Sequence, residues 1–270
     1  MVSWTHWHNE PLLVGTLVLA AWAYALAVGP WRFRLAPAGT PFPRADAWRF
    51  GCGLFVFYLA VGSPLDQIGE RYLFSAHMLQ HMIIVYLAAP LVLAGTPAWL
   101  VDRAIDRPIV RPIVRTITTP VAAAVIYALC LSLWHVPAAY DAALRDKLLH
   151  VIQHLMFFAA ATVQWWPLVS PSRVAPRRAP GVQVLYIVAL GGLQFPLVAF
   201  LNFSRDVLYP TYAFAPRLLP LTPREDQVLG GTIMGVGGMF ISLGLISWCF
   251  YRWTRQSERE PEPSPSPSLR

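Results

Sequence analysis

The sequence predicts an all-α, polytopic membrane protein with seven transmembrane helices, and three observations carry that prediction. Of the 270 residues, 56% are hydrophobic and only 13% are charged, against roughly 25% charged in ordinary soluble domains. A water-soluble fold of this length has too little interior for so much apolar side chain, which excludes a soluble enzyme. The apolar residues form continuous runs of about twenty, the length a helix needs to cross a bilayer. They do not form the ten-residue alternating blocks of an outer-membrane barrel. The basic residues fall mainly between these runs.

In chain order the runs cover residues 11–31, 47–65, 73–95, 117–137, 147–168, 182–203 and 227–251. The seventh begins polar and contains Gly230, Gly231, Gly235, Gly237, Gly238 and Gly244, small residues that let another helix approach closely. Trp31, Trp48, Trp99, Trp134, Trp165, Trp166, Trp248 and Trp253 lie near run ends, as an interfacial aromatic belt requires. Segments after the first, third, fifth and seventh runs hold 15 Lys and Arg residues, and the opposite side holds six. This bias predicts an outside amino terminus and a cytoplasmic carboxyl terminus. Orientation thereby explains the net charge of +7 without a nucleic-acid partner. The first basic residue, Arg32, follows the first run instead of preceding it, which argues against a signal peptide. Residues 1–254 read as the seven-helix domain. Residues 255–270, rich in Pro, Ser and Glu towards the end, read as a disordered cytoplasmic tail. Cys52, Cys130 and Cys249 lie singly inside apolar runs, which predicts small buried side chains and no disulfide framework.

Two segments match at a constant offset of 73 residues. Pro64, His77, Gln80 and His81 correspond to Pro137, His150, Gln153 and His154, so both read P-x12-H-x-x-Q-H. The offset spans two helices, which predicts a parallel repeat of two-helix units formed by spans two–three and four–five. Spans six–seven form a third, degenerate copy, with Asp226-Gln227 near the position of the histidines.

All seven histidines fall at the outer side under this topology. His77 and His81 open span three, His150 and His154 open span five, His135 ends span four, and His6 and His8 precede span one. At 1.5 Å per residue, His81 and His154 sit roughly 10–14 Å below their helix starts, inside the outer half of the bilayer. Residues at i and i+4 share a helix face, so each H-x-x-Q-H turns two imidazoles one way. If spans three and five face each other, four imidazoles converge, a donor set for copper, zinc or iron. Ionisable groups within a bilayer are costly and usually functional. Gln80 and Gln153 read either as binding a polar partner behind the ligands or as fixing an imidazole tautomer. Met78 and Met82 offer thioethers beside the first pair, while Met156, Phe157 and Phe158 read as packing. Asp226 reads either as a carboxylate favoured by the start of its own helix or as a further ligand or proton acceptor.

The sequence resembles the multi-spanning CtaG family of cytochrome c oxidase assembly factors over about residues 45–250. The resemblance rests on Ser63-Pro64-Leu65, the run His77 to Met82, Ala89-Pro90-Leu91 and Gly95-Thr96-Pro97. It continues with Trp134-His135-Val136-Pro137, Tyr140, His150 to His154, Asp226-Gln227, Gly230-Gly231 and Met234. A single-span copper-delivery protein that shares the CtaG name is not similar. The resemblance implies a seven-span bacterial inner-membrane protein needed to build a haem–copper oxidase, in particular its copper centre.

Together these readings predict a non-catalytic copper-handling assembly factor. Its metal ligands would be His77, His81, His150 and His154, with His135 and Asp226 as auxiliaries. Its partners would be oxidase subunits, a periplasmic copper donor and membrane lipid. Neither a nucleophile–base arrangement nor a phosphate-binding loop is present in the sequence. The competing readings are a haem-binding electron carrier, a metal or proton transporter, and a structural scaffold. The inner halves of the spans show few polar groups, which weighs against a transport path.

Overall fold

The computed structural model describes Trp7 and residues 9–258, so His6, His8 and tail residues 259–270 lie outside the described residues. Every regular element among the described residues is helical. In order these are α1 (Pro11–Val28), α2 (Arg32–Leu35), α3 (Arg44–Gly62), α4 (Pro64–Arg71) and α5 (Phe74–Ile83). A π-helical turn (Ile84–Ala88) leads into α6 (Ala89–Ala94), followed by α7 (Ala98–Ile105), α8 (Val110–Ile117) and α9 (Pro120–Trp134). The chain closes with α10 (Pro137–Arg145), α11 (Lys147–Val169), α12 (Pro180–Phe203), α13 (Pro210–Ala213) and α14 (Pro223–Ser257).

Five of these are long and apolar enough to cross a membrane: α1, the continuous α5–α6 rod, α11, α12 and α14. Two more candidates are bent pairs, α3–α4 at 44° and α8–α9 at 77°, giving five to seven spans. Each expected run falls on one of these units. The differences lie at the ends. The run 47–65 is cut at Ser63, which is extended and whose hydroxyl accepts a hydrogen bond from the Leu65 amide at 3.3 Å. A residue before proline is pushed out of the helical region, and proline itself fits the first turn of the next helix. Val136 before Pro137 is extended for the same reason and separates α9 from α10. Helix α14 runs to Ser257, so residues 255–257, expected in the tail, are helical.

The repeat is correspondingly richer than a helix pair. Each copy is a long helix, a short helix opening on proline, and a second long helix: α3–α4–α5, α9–α10–α11 and α12–α13–α14. The three prolines, Pro64, Pro137 and Pro210, are evenly spaced 73 residues apart, so Pro210 extends the periodicity into the third copy. The second long helix of each copy starts at a carboxylate. Asp146 accepts from the amides of Leu148 and Leu149 at 2.8 and 3.0 Å. Thr222 and Glu225 form a reciprocal capping box on α14. The start of α5 is held from α14, as described below.

Helices α5–α6, α9, α11, α12 and α14 enclose the main apolar core, which includes Val85, Ala89, Tyr127, Leu131, Phe157, Ala161, Trp165, Tyr186 and Leu190. In the seventh run, a Cβ on Gly231 would come within 2.5 Å of Asn202 and one on Gly235 within 2.6 Å of Val198, so these two glycines set the close packing of α14 on α12. Gly244 has open space around it and serves no such contact. Two cysteines, Cys130 and Cys249, are buried as expected, whereas Cys52 is exposed on α3. The spans are also more polar away from the histidines than the sequence suggested, with Gln164 and Gln183 buried there. The Gln183 amide donates to the carbonyls of Pro167 and Leu168 at 3.1 and 3.0 Å, closing the end of α11. Backbone groups at a helix end in an apolar surrounding need such partners.

The π turn shows the same rule. There the Ala89 amide bonds the carbonyl of Ile84, five residues back. The next donor in that pattern is residue 90, a proline with no N–H, which would strand the buried carbonyl of Val85. The Trp165 indole N–H fills the position at 2.8 Å, tying α11 to the turn. Trp165→Phe keeps the ring bulk and removes this donor. We expect the purified variant to lose about 1 kcal/mol of stability, read as a lower midpoint of thermal unfolding in detergent.

Candidate metal centre

The short helices and the first turns of α5 and α11 meet at one end of the bundle. On α5 and α11 the expected i,i+4 geometry holds. His77 Nε2 lies 2.8 Å from His81 Nε2, and His150 Nε2 lies 3.2 Å from His154 Nε2. The two pairs face each other: the rings of His77 and His150 stack at 5.4 Å and 13°, and those of His81 and His154 meet edge-on at 5.4 Å. All four residues are buried. The donor atoms of His77, His81 and His154 lie within 4.8 Å of one another, and so do those of Asp66, His150 and His154.

The outward-facing ring nitrogens decide what the inward ones can do. The Tyr212 hydroxyl donates to the Gly69 carbonyl at 2.6 Å, so its oxygen receives the His77 Nδ1–H at 3.2 Å. The Tyr140 hydroxyl lies 3.1 Å from the same oxygen and donates to it. On the other pair, His150 Nδ1 lies 2.7 Å from Glu70 Oε1. Both contacts put the proton on Nδ1 and leave the Nε2 lone pair pointing into the cluster, the arrangement a metal-binding imidazole requires. Burial pushes the phenols of Tyr140, Tyr209 and Tyr212 up from their ordinary range, so they remain protonated donors. Among the described residues, His81 Nδ1, the side-chain oxygen of Gln80 and the side-chain amide of Gln153, one residue before His154, are buried here without a hydrogen-bonding partner.

His135 stands beside the cluster, its ring centroid 6.3 Å from that of His81. Its Nδ1–H donates to the Leu131 carbonyl at 2.7 Å, and its Nε2 faces the Met78 sulfur at 3.4 Å. It belongs to neither group of three ligating side chains. Phe157 packs under His81 and His135, with ring centroids 4.5 and 6.2 Å away. Above, Phe74, Tyr140, Tyr209 and Tyr212 form an aromatic roof, and the Tyr209 hydroxyl donates to the His135 carbonyl at 3.0 Å.

Asp226 is not beside the four histidines in either ligating group. Its carboxylate accepts from the amides of Phe74 and Ser75 at 2.7 and 3.2 Å and from the Ser75 hydroxyl at 2.5 Å. It caps the start of α5, not that of its own helix. Gly230, one turn along α14, makes room for this contact, since a Cβ there would sit 2.4 Å from the Phe74 ring. Of the two glutamines, Gln80 donates to Asp66 Oδ1 at 2.6 Å and to the Ala60 carbonyl at 3.0 Å. It thus reaches a carboxylate before it reaches an imidazole.

Asp66, Glu70, Tyr209 and Tyr212 are the residues that sequence reasoning did not select. The available signals were the D-x-x-x-E spacing that puts both acids on one face of α4, and Pro210, which marks the tyrosine-bearing segment as the third short helix.

Asp226→Ala separates capping from ligation. We expect a loss of about 1–2 kcal/mol in stability from the uncapped start of α5, seen in detergent melting curves, with any metal uptake by the folded fraction unchanged.

No curated protein and no solved structure matches the chain. A family model does match, over residues 22–256, and its description is cytochrome c oxidase caa3 assembly factor. That range takes in α2 to α13, the last part of α1 and nearly all of α14, with every histidine of the cluster. The chain therefore belongs to the family of cytochrome c oxidase caa3 assembly factors, Caa3_CtaG.

Proposed function

We propose that the protein serves oxidase assembly by holding copper at the histidine centre and delivering it to an oxidase subunit. The observation that carries this reading is the set of imidazole Nε2 atoms turned towards one another while the Nδ1 atoms of His77 and His150 are tied to Tyr212 and Glu70. Neutral imidazoles suit copper, and a haem–copper oxidase needs copper during its assembly. His77, His81, His154 and His150 are the ligands in this reading. His135 and Met78 form an adjoining imidazole–thioether pair suited to a soft ion. Asp226 acts as a positioning residue through α5. No catalytic turnover is involved.

In the bacterial inner membrane the chain would make seven passes with its amino terminus outside, the two bent helix pairs each counting as one. The centre then lies in the outer half of the bilayer, where a periplasmic donor can supply the ion and a neighbouring oxidase subunit can receive it. The haem reading is disfavoured by the packing. The four rings lie 4.3–6.1 Å apart across the measured pairs, which leaves no slot for a porphyrin between them.

The test is anaerobic loading of the detergent-purified chain with Cu(I), followed by elemental analysis and an optical spectrum. We expect about one copper per chain and none in the variant with His77, His81, His150 and His154 all replaced by Ala. Copper binding that survives in that variant, or a Soret band in the wild type, would overturn the proposal. Tyr212→Phe removes the acceptor for His77 Nδ1–H, and we expect it to weaken Cu(I) binding by about tenfold, measured by competition with a chromophoric chelator.

A further inference from the structure

The histidine cluster has two unlike sides. A cavity of about 370 Å³ opens beside α1, α3, α4 and α11. Its lining includes Asp66, Glu70, His150 and His154 but neither His77 nor His81. Its walls include the apolar Leu13, Phe57 and Val61 together with Thr16, Arg71 and Arg145, and Glu10 and Lys147, which also line it, pair with each other and link the start of α1 to α11. The three cavity-facing donors, Asp66, His150 and His154, also lie within 4.8 Å of one another.

We propose that Asp66, His150 and His154 form a second cation station, loaded from this cavity by a divalent ion and distinct from the His77–His81–His154 station behind it. The inference rests on the reading of the histidines as a metal centre and adds a site, an ion class and an order of filling. A carboxylate with two imidazoles adds a formal negative charge and a hard oxygen donor, which suits a divalent ion such as Zn²⁺; three neutral imidazoles also suit monovalent copper. Glu70 takes the Nδ1 proton of His150 and leaves its Nε2 free for this station. An ion arriving through the cavity meets the oxygen donors of Glu70 and Asp66 together with His150 before it can reach His77 and His81. His154 belongs to both groups. A neutral imidazole has one lone pair, so the two stations fill alternately.

The experiment uses the full chain in detergent, with Zn²⁺ alone as the probe of the outer station and Cu(I) as the probe of the inner one. Equilibrium dialysis with elemental analysis reads both. The wild type is expected to bind Zn²⁺, and pre-loading with Cu(I) is expected to block it. His150→Ala should lower Zn²⁺ affinity at least tenfold. Asp66→Asn, which keeps the side-chain shape, should act in the same direction. The double variant His77→Ala/His81→Ala should lose Cu(I) and keep Zn²⁺. Zn²⁺ affinity unchanged in both His150→Ala and Asp66→Asn, loss of Zn²⁺ in the double variant, or simultaneous binding of both ions would each overturn the proposal. A wild type that binds Zn²⁺ through Asp66 and His150 but takes up no Cu(I) would support this station and reject the copper reading.

Discussion

Polar atoms buried in an apolar bundle must find partners inside the protein, and the arrangement of this chain follows from that constraint. Three long helices begin at one end of the bundle, and each start presents amides that water cannot reach freely. Asp146, the Thr222–Glu225 box and Asp226 meet that need. Asp226 matters most for the site, because it joins α14 to the first turn of α5, the turn that carries His77. Elsewhere the same constraint places Trp165 against the carbonyl stranded by Pro90 and Gln183 against the end of α11. Backbone groups at these helix ends are thereby paired, and the breaks bring the short helices over the histidines.

Much of the site was legible in the sequence because helix spacing is a strong rule. Two H-x-x-Q-H runs can only point their imidazoles to one side of their helices, and the 73-residue offset puts both at the same depth. The remainder depended on contacts that spacing does not encode. Asp66 and Glu70 sit in a polar stretch that reads as a connection between spans; only the break at Ser63-Pro64 folds it back as α4 over the cluster. Tyr209 and Tyr212 arrive from more than fifty residues beyond the last histidine. Asp226 was read as a carboxylate at a helix start, and it is one, but the amides that it caps belong to α5. A single sequence shows that such a residue favours a helix start and cannot say whose.

The extent of the apolar runs was equally legible, and their continuity was not. Ser63 and Val136 each precede a proline, so the run 47–65 becomes a bent pair and the run 117–137 stops at the end of α9, with α10 starting as a separate helix. The reason is local and steric. Its effect is long-range, because the segments after the breaks supply Asp66, Glu70 and Tyr140.

The three repeated units also show how a symmetric ancestor-like plan can yield a site with a front and a back. Where the first two copies have His77 and His150, the third has Pro223; where they have His81 and His154, it has Gln227. The Gln227 amide and carbonyl are engaged with the Leu201 carbonyl and the Leu208 amide, so the third unit acts as masonry and offers no imidazole. Three equal copies would surround an ion evenly and offer three equivalent doors. With one copy converted to support and a tyrosine roof above, the described cavity lies on the side of α1, so an ion held at the proposed centre would come and go from that one side.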